Sequence, residues 1–123
     1  MGLSAAAISR KSPPGEDVID IVHLARMTLG DRSLEREVLT LFDRQTVILL
    51  ERMNDAPPAA VVTFAHTLKG SARSIGAWQV AAAAEAAEGA AAGTDPAGVM
   101  RALGELGAAI DEARAVIGLL LRH

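Results

Sequence analysis

The sequence predicts an all-α protein: an up-and-down antiparallel four-helix bundle with a short N-terminal cap helix. Half of the 123 residues are hydrophobic but only 2 % are aromatic, a composition that suits closely packed helices better than a β-sandwich. Apolar residues return at steps of three and four along most of the chain, which is the period of a helix with one buried face. Glycine, proline and short polar clusters interrupt this pattern and separate one short helix from four longer ones.

The bundle domain is predicted to span residues 17–123, after a flexible N-terminal arm over residues 1–16. The Ser, Pro and Gly residues of the arm follow no apolar period and bury too little surface to offset the entropy lost on ordering. The alternative is a short helix that laps over the domain, which the apolar run at residues 5–8 would permit.

The first two helices have clear start and stop signals. A short helix is predicted over residues 20–29, with Asp20 as its cap and Gly30 ending it in a left-handed turn. A long helix is predicted to begin at Ser33 as N-cap and to stop near Asn54, before Pro57. Its buried face is expected to contain the apolar residues that recur at helical spacing, namely Leu34, Val38, Leu41, Phe42, Ile48, Leu49 and Met53.

The third helix is predicted to begin at Pro57 and Pro58, because proline suits a first helical turn, and to run to about Ser74 before Gly76 breaks it. The residues that cluster on one side of this helix are Val61, Phe64, Ala65, Leu68, Ala72 and Ile75. They are predicted to form its buried stripe.

The fourth helix, over residues 77–92, is nearly all alanine and ends at Gly93. Alanine favours the helix intrinsically and lets a neighbouring helix approach closely. The fifth helix starts at the Thr94-Asp95-Pro96 signal and runs to the C-terminus. Its bundle seam is predicted to consist of Val99, Leu103, Leu106, Ile110, Ala113, Ile117 and Leu120.

His66 lies on the opposite side of the third helix from the buried stripe, at about 100° per residue. Lys69 and Arg73 share its face, one and two turns further along. Gly70 is also on this face, although glycine in a helix interior costs about 0.5 to 1 kcal/mol relative to alanine. In a chain that uses alanine freely, this glycine suggests room for a bulky group or for an approaching protein.

The string His66-Thr67-Leu68-Lys69-Gly70, with Gly76 ten and Glu88 twenty-two residues past the histidine, resembles the histidine-containing phosphotransfer (HPt) domains of two-component phosphorelays. Residues 28–31 and 38–42 are also similar to the opening helices of that family, so the resemblance covers about residue 17 to the C-terminus. Where the family often has Leu fourteen and twenty-one residues past the histidine, this chain has Val80 and Ala87.

The resemblance implies a four-helix bundle whose exposed histidine accepts a phosphoryl group from the aspartyl phosphate of one receiver domain and passes it to another receiver. It implies that His66 is phosphorylated, that Lys69 is the basic residue beside it and that Gly70 is the small residue that admits the receiver. A neutral imidazole is nucleophilic near pH 7 without a dedicated base. Lys69 and Arg73 are expected to offset charge on the phosphoryl oxygens; the alternative for both, above all for Arg73, is an ordinary solvated charge.

The break at Gly76 is expected to fold the third and fourth helices back on each other, which brings residues 85–88 opposite His66. We expect Glu88 to accept a hydrogen bond from one ring nitrogen of His66 and so to fix its tautomer; the alternative is a surface helix residue. The receiver is expected to dock on the His66 side of the third helix, with part of the second or fourth helix. The expected docking residues are Ala59, Val62 and Thr63.

No cofactor and no metal are expected. The chain lacks Cys, and its three His residues are far apart with no metal-ligand spacing. His23 is interpreted as structural and His123 as terminal, and Trp78 is expected to plug the end of the bundle beside Gly76. Without a nucleotide loop or paired carboxylates, the chain is expected to be a phosphoryl carrier with no kinase or phosphatase activity of its own.

The expected partners are the receiver domains of a hybrid sensor kinase and of a response regulator. A formal net charge of −3 gives no basic field for nucleic acid, and no apolar run approaches the roughly 20 residues of a membrane span. With no signal peptide, a cytoplasmic monomer is expected, although the seam of the last helix leaves dimerisation open. One rival interpretation is an interaction bundle that binds a receiver or kinase without carrying phosphate. A second, an all-helical enzyme domain, is disfavoured by the lack of clustered acids, nucleophiles or cofactor loops.

Overall fold

The computed structural model describes residues 18–122 of the chain, so the arm predicted over residues 1–16 lies outside the described residues, as does His123. The described part contains five helices and no strand, which confirms the all-helical class. In chain order the helices are α1 (Ile21–Met27), α2 (Arg32–Asn54), α3 (Pro58–Ile75), α4 (Trp78–Ala92) and α5 (Pro96–Arg122).

Helix α1 begins and ends close to its predicted signals. The Asp20 carboxylate caps the helix by accepting the backbone N–H of His23 at 3.0 Å. The helix ends at Met27, after which Leu29 and Gly30 both adopt left-handed backbone conformations, with φ of 54° and 73°. The Gly30 amide then donates to a carbonyl in the last turn of α1 at 2.9 Å.

The start of α2 differs from the prediction. Its N-cap is Asp31, whose carboxylate accepts the backbone N–H of Leu34 at 3.0 Å, and Ser33 is already inside the helix. Asp31 follows the left-handed turn directly and has the extended backbone that an N-cap needs, so the helix starts two residues earlier than expected.

The buried face of α2 was also predicted only in part. Leu34, Leu41 and Ile48 are exposed, and the buried residues are Leu39, Phe42, Thr46, Leu49 and Met53. Thr46 belongs to the core because its hydroxyl donates to the Asp43 carbonyl at 2.7 Å, so no polar atom of its side chain is left unpaired. The true stripe is therefore rotated around the helix relative to the predicted one.

The stripes predicted for α3 and α5 lie in the core, with Phe64, Val99, Leu103 and Leu120 at its partly buried edge. Val80 and Ala87, the two departures from the family pattern, are both buried. Helix α3 packs on α2 and α4, α5 packs on the same two helices, and α1 contacts α3. Each long helix thus has two long neighbours.

The turn between α3 and α4 is held tightly against the start of α1. Gly76 has φ of 85°, and its carbonyl accepts the Asp20 amide at 2.9 Å. A Cβ at Gly76 would lie 2.9 Å from the Asp20 Cβ, so only glycine fits this close approach. The indole N–H of Trp78, at the start of α4, donates to the Asp20 carboxylate at 2.9 Å. This junction sets how α3 and α4 pair, and thereby which residues of α4 face His66.

Candidate functional site

His66 lies in the middle of α3 with its side chain 68 % exposed. Its helical neighbours Ala65 and Leu68 are fully buried, which holds the backbone of this turn firmly against the core. The imidazole therefore stands on the outer wall of the helical array, on the side predicted from the helical period.

Glu88 of α4 contacts this imidazole across the helix pair. Its Oε2 lies 3.0 Å from His66 Nδ1, so the hydrogen bond expected from the sequence is present. Because an ionised carboxylate only accepts hydrogen bonds, Nδ1 is the ring nitrogen that carries the proton. The other nitrogen, Nε2, then keeps its lone pair and is the nucleophilic atom of the ring.

Lys69 completes a three-residue cluster. Its Nζ lies 2.8 Å from Oε1 of Glu88, and the lysine side chain is only 16 % exposed although it begins on the outer face of α3. The two carboxylate oxygens of Glu88 are thus divided between Lys69 and His66. The Lys69 ammonium beside the carboxylate is the main cause that holds the pKa of Glu88 below its usual value, and the hydrogen bond from His66 is a smaller one. Glu88 is therefore ionised at neutral pH.

A second ion pair joins the same two helices further along. Arg73 Nη2 of α3 lies 3.1 Å from Glu85 Oε1 of α4, and the arginine side chain is 54 % exposed. Arg73 was predicted to be either a solvated charge or a phosphate contact; in the structure it pairs with Glu85. A pair this open to water contributes little to stability.

Gly70 leaves an opening on the His66 face. A Cβ at this position would meet nothing within 4 Å, so the packing of the described residues gives no reason for the glycine. The expected docking residues Ala59 and Thr63 are exposed on the same helix, and Val62 is half-buried. The structure thus places all three on or beside the outer wall of α3.

The sequence matches a family model, and the matched region contains the whole cluster. The model is that of the Hpt domain, and it matches residues 34–116, more than half of the chain. The chain belongs to the Hpt domain family. A search of curated proteins and a search of solved structures found no match. Hpt domains are phosphocarrier modules that interact with receiver domains, and membership of the family gives this chain a phosphotransfer-related role in two-component signalling.

The exposed apolar residues of α2 are the part of this Hpt domain's surface that the sequence did not predict. Leu41 borders a groove between α2 and α3 whose lining residues are Val38, Leu41, Phe42, Gln45, Ser71, Ser74 and Ile75. Leu34, Leu41 and Ile48 recur every seven residues and so form a second apolar stripe along α2, rotated around the helix from the buried one. This second stripe is the feature of the sequence from which an exposed apolar surface on α2 could have been predicted.

The remaining candidates lie away from this cluster. His23 is half-buried and packs edge-on against Trp78, with ring centroids 4.9 Å apart, in agreement with a structural role. Among residues 18–122 no three His, Asp or Glu side chains are grouped closely enough to hold a metal ion. No helix in the same part of the chain has the length and hydropathy needed to cross a membrane.

Proposed function

We propose that this Hpt domain is a phosphoryl carrier that accepts the group on His66 from a receiver of a hybrid sensor kinase and passes it to a receiver of a response regulator. The observation that supports this most is the outward imidazole whose Nδ1 is bound by Glu88 at 3.0 Å, because Nε2 is then the free nucleophile. We further propose that the domain works as a cytoplasmic monomer and that α2–α5 form an up-and-down bundle capped by α1; the helix contacts described above support this arrangement.

The proposed transfer step requires a nucleophile and little else from this chain. The Nε2 lone pair attacks the phosphorus of the receiver's aspartyl phosphate, and the bond from phosphorus to the carboxylate oxygen breaks as the Asp leaves with the electron pair. The positive charge that develops on the ring at Nδ1–H lies against the Glu88 carboxylate, which stabilises it. In the onward transfer a second receiver's Asp attacks the same phosphorus and the P–N bond breaks. The remaining catalytic groups are proposed to come from the receiver.

The supporting residues follow from their places around His66. Gly70 is proposed to leave room for the receiver, because a side chain there would project into open space beside the imidazole. Lys69 is proposed as part of the site through its contact with Glu88, and Arg73 as a charge at its edge.

The receiver is proposed to cover the outer wall of α3 around Ala59, Val62 and Thr63, together with the adjacent flank of α2. Exposed Leu41 and Ile48 support the inclusion of α2, since apolar side chains at the surface gain free energy when a partner removes them from water.

Substitution of the histidine tests the proposal. A phosphorylated receiver is incubated with the wild-type chain and with His66→Gln, and the acid-labile, base-stable label on the chain is followed over time. The variant is expected to bind the receiver and to acquire no label, because Gln lacks the nucleophilic nitrogen. His23→Gln is the matched control and is expected to be labelled at the wild-type rate. Labelling of His66→Gln at that rate would refute the proposal, and binding without labelling of the wild type would favour a pure interaction module.

A further inference from the structure

We infer that Lys69 is a positioning residue, which acts on His66 through Glu88 and does not itself grip the phosphoryl group. This inference rests on the proposed role of His66 as phosphoryl acceptor and adds a separate claim about how its reactive form is maintained. From the sequence, Lys69 was expected to offset the charge on the phosphoryl oxygens directly.

The Glu88 carboxylate contacts both Lys69 and His66. Lys69 Nζ lies 2.8 Å from one carboxylate oxygen of Glu88, while His66 Nδ1 lies 3.0 Å from the other. The ammonium group of the lysine and the imidazole therefore contact different oxygens of Glu88 and do not compete for one acceptor. An ion pair of this length holds the Glu88 side chain in the position that binds the ring.

The Lys69 side chain is largely shielded from water. The side chain of Lys69 is 16 % exposed, against 54 % for Arg73 one turn further along the same face of α3. A lysine that meets an incoming phosphoryl group needs to extend outward from the helix. This one lies against α4, where lower exposure to water strengthens its bond to Glu88.

Lys69 also balances the negative charge of Glu88. Two ion pairs join α3 to α4 in the described part of the chain, one between Arg73 and Glu85 and one between Lys69 and Glu88, and in the first pair the two charges neutralise each other. Lys69 neutralises the charge of Glu88 in the same way. The carboxylate then needs only a hydrogen bond from its second partner, which a neutral, singly protonated imidazole can donate. Without the lysine, the uncompensated carboxylate favours the doubly protonated imidazolium, which has no lone pair and cannot attack phosphorus.

A small phosphoryl donor tests the inference without any receiver. With phosphoramidate, the Nε2–P bond forms while the P–N bond of the donor breaks, and ammonia leaves with a proton from the solvent. We expect Lys69→Met to lower the labelling rate at pH 7 about tenfold, the typical effect of losing one charge-assisted contact, and to move the midpoint of the pH–rate profile to higher pH. Arg114→Met, which instead removes a positive charge from the ion pair that joins α5 to Asp43 of α2, is expected to leave both unchanged.

A double-mutant cycle separates the two possible roles of the lysine. In a Glu88→Gln background, Lys69→Met is expected to change the labelling rate by less than about twofold, because its route to His66 is already broken. A tenfold loss in both backgrounds would overturn the inference, since it would show that the lysine acts on the phosphoryl group directly. Thermal unfolding of each variant, monitored by circular dichroism, verifies that the fold is retained.

The ring nitrogens of His66 give a readout that does not depend on phosphorylation. In ¹⁵N NMR spectra near pH 7 the wild type is expected to show the Nδ1–H tautomer, and Lys69→Met a larger share of imidazolium. Unchanged nitrogen shifts in Lys69→Met would overturn the inference. Failure of a folded wild type to acquire label would count against His66 as acceptor, whereas a labelled wild type with an additive cycle would count against the role of Lys69 alone.

Discussion

Replacing Gly70 by alanine is expected to make the domain more stable and a poorer partner for a receiver. Glycine in a helix interior costs about 0.5 to 1 kcal/mol relative to alanine, and nothing lies within 4 Å of the added Cβ to offset the gain. For a domain of this size such a gain raises Tm by roughly 2–6 °C. Gly104→Ala is the matched control, because Gly104 is also exposed, helical and free of neighbours within 4 Å of its Cβ.

The two variants are expected to differ in phosphotransfer. The methyl group at Gly70 projects from the face on which the receiver is proposed to dock, one turn from His66, whereas Gly104 lies on α5. Transfer from a phosphorylated receiver is therefore expected to slow in Gly70→Ala and to fall about tenfold or more in Gly70→Gln, since overpacking an interface typically costs about 1–3 kcal/mol. Labelling by phosphoramidate is expected to stay within about twofold of wild type in all three variants.

Thermal unfolding and initial rates of label transfer measure the two effects separately. Transfer from the receiver at the wild-type rate in Gly70→Gln would refute the proposal that this opening admits the partner. A gain in Tm for Gly104→Ala without one for Gly70→Ala would refute the reasoning that the glycine is unnecessary for packing.

Two further predictions concern the junction of α1 with the α3–α4 turn. Gly76→Ala is expected to lower the free energy of unfolding by about 2–4 kcal/mol, because alanine is strained at φ of 85° and its Cβ would lie 3.0 Å from the Asp20 carbonyl oxygen; urea unfolding that matches wild type would contradict this. The bond from Trp78 is the largest cause that holds the pKa of Asp20 below its ordinary value of 3.8. The unfolded chain thus binds the proton more readily, so this stabilisation is present above that pH and is lost as the pH falls through and below it. Trp78→Phe is expected to remove about 1–2 kcal/mol at neutral pH and less in acid, and an equal loss at both pH values in urea titrations would contradict the assignment.

Much of the fold could be predicted because its signals are local. Gly30 and Gly76 follow helix ends in left-handed conformations, and Pro58 and Pro96 begin helices, as the backbone preferences of these residues favour. The start of α2 at Ser33 was predicted wrongly, because the N-cap is Asp31. The left-handed turn that precedes Asp31 presents this residue in the extended conformation that an N-cap needs.

The buried face of α2 could be predicted only in part from its own residues, with Phe42, Leu49 and Met53 assigned correctly. Two apolar stripes run along this helix, and either satisfies a helical period. Contact with both α3 and α5 selected the stripe that contains Leu39 and Thr46, and left Leu41 and Ile48 outside. From the sequence alone, burial of a threonine is not expected, because a polar hydroxyl without a partner is costly in a core. The structure supplies that partner, since the Thr46 hydroxyl donates to a backbone carbonyl.

The sequence by itself determined which helix holds His66 and which side of it is outward, because the apolar period and the position of the glycine turn depend only on local order along the chain. It also brought Glu88 opposite His66, since residues about equally distant from a tight turn meet across a helical hairpin. Tertiary structure alone decided where the Lys69 ammonium goes. A long, flexible side chain can point to solvent or to a neighbouring helix, and only the distance to the Glu88 carboxylate on α4 determines which direction has the lower free energy.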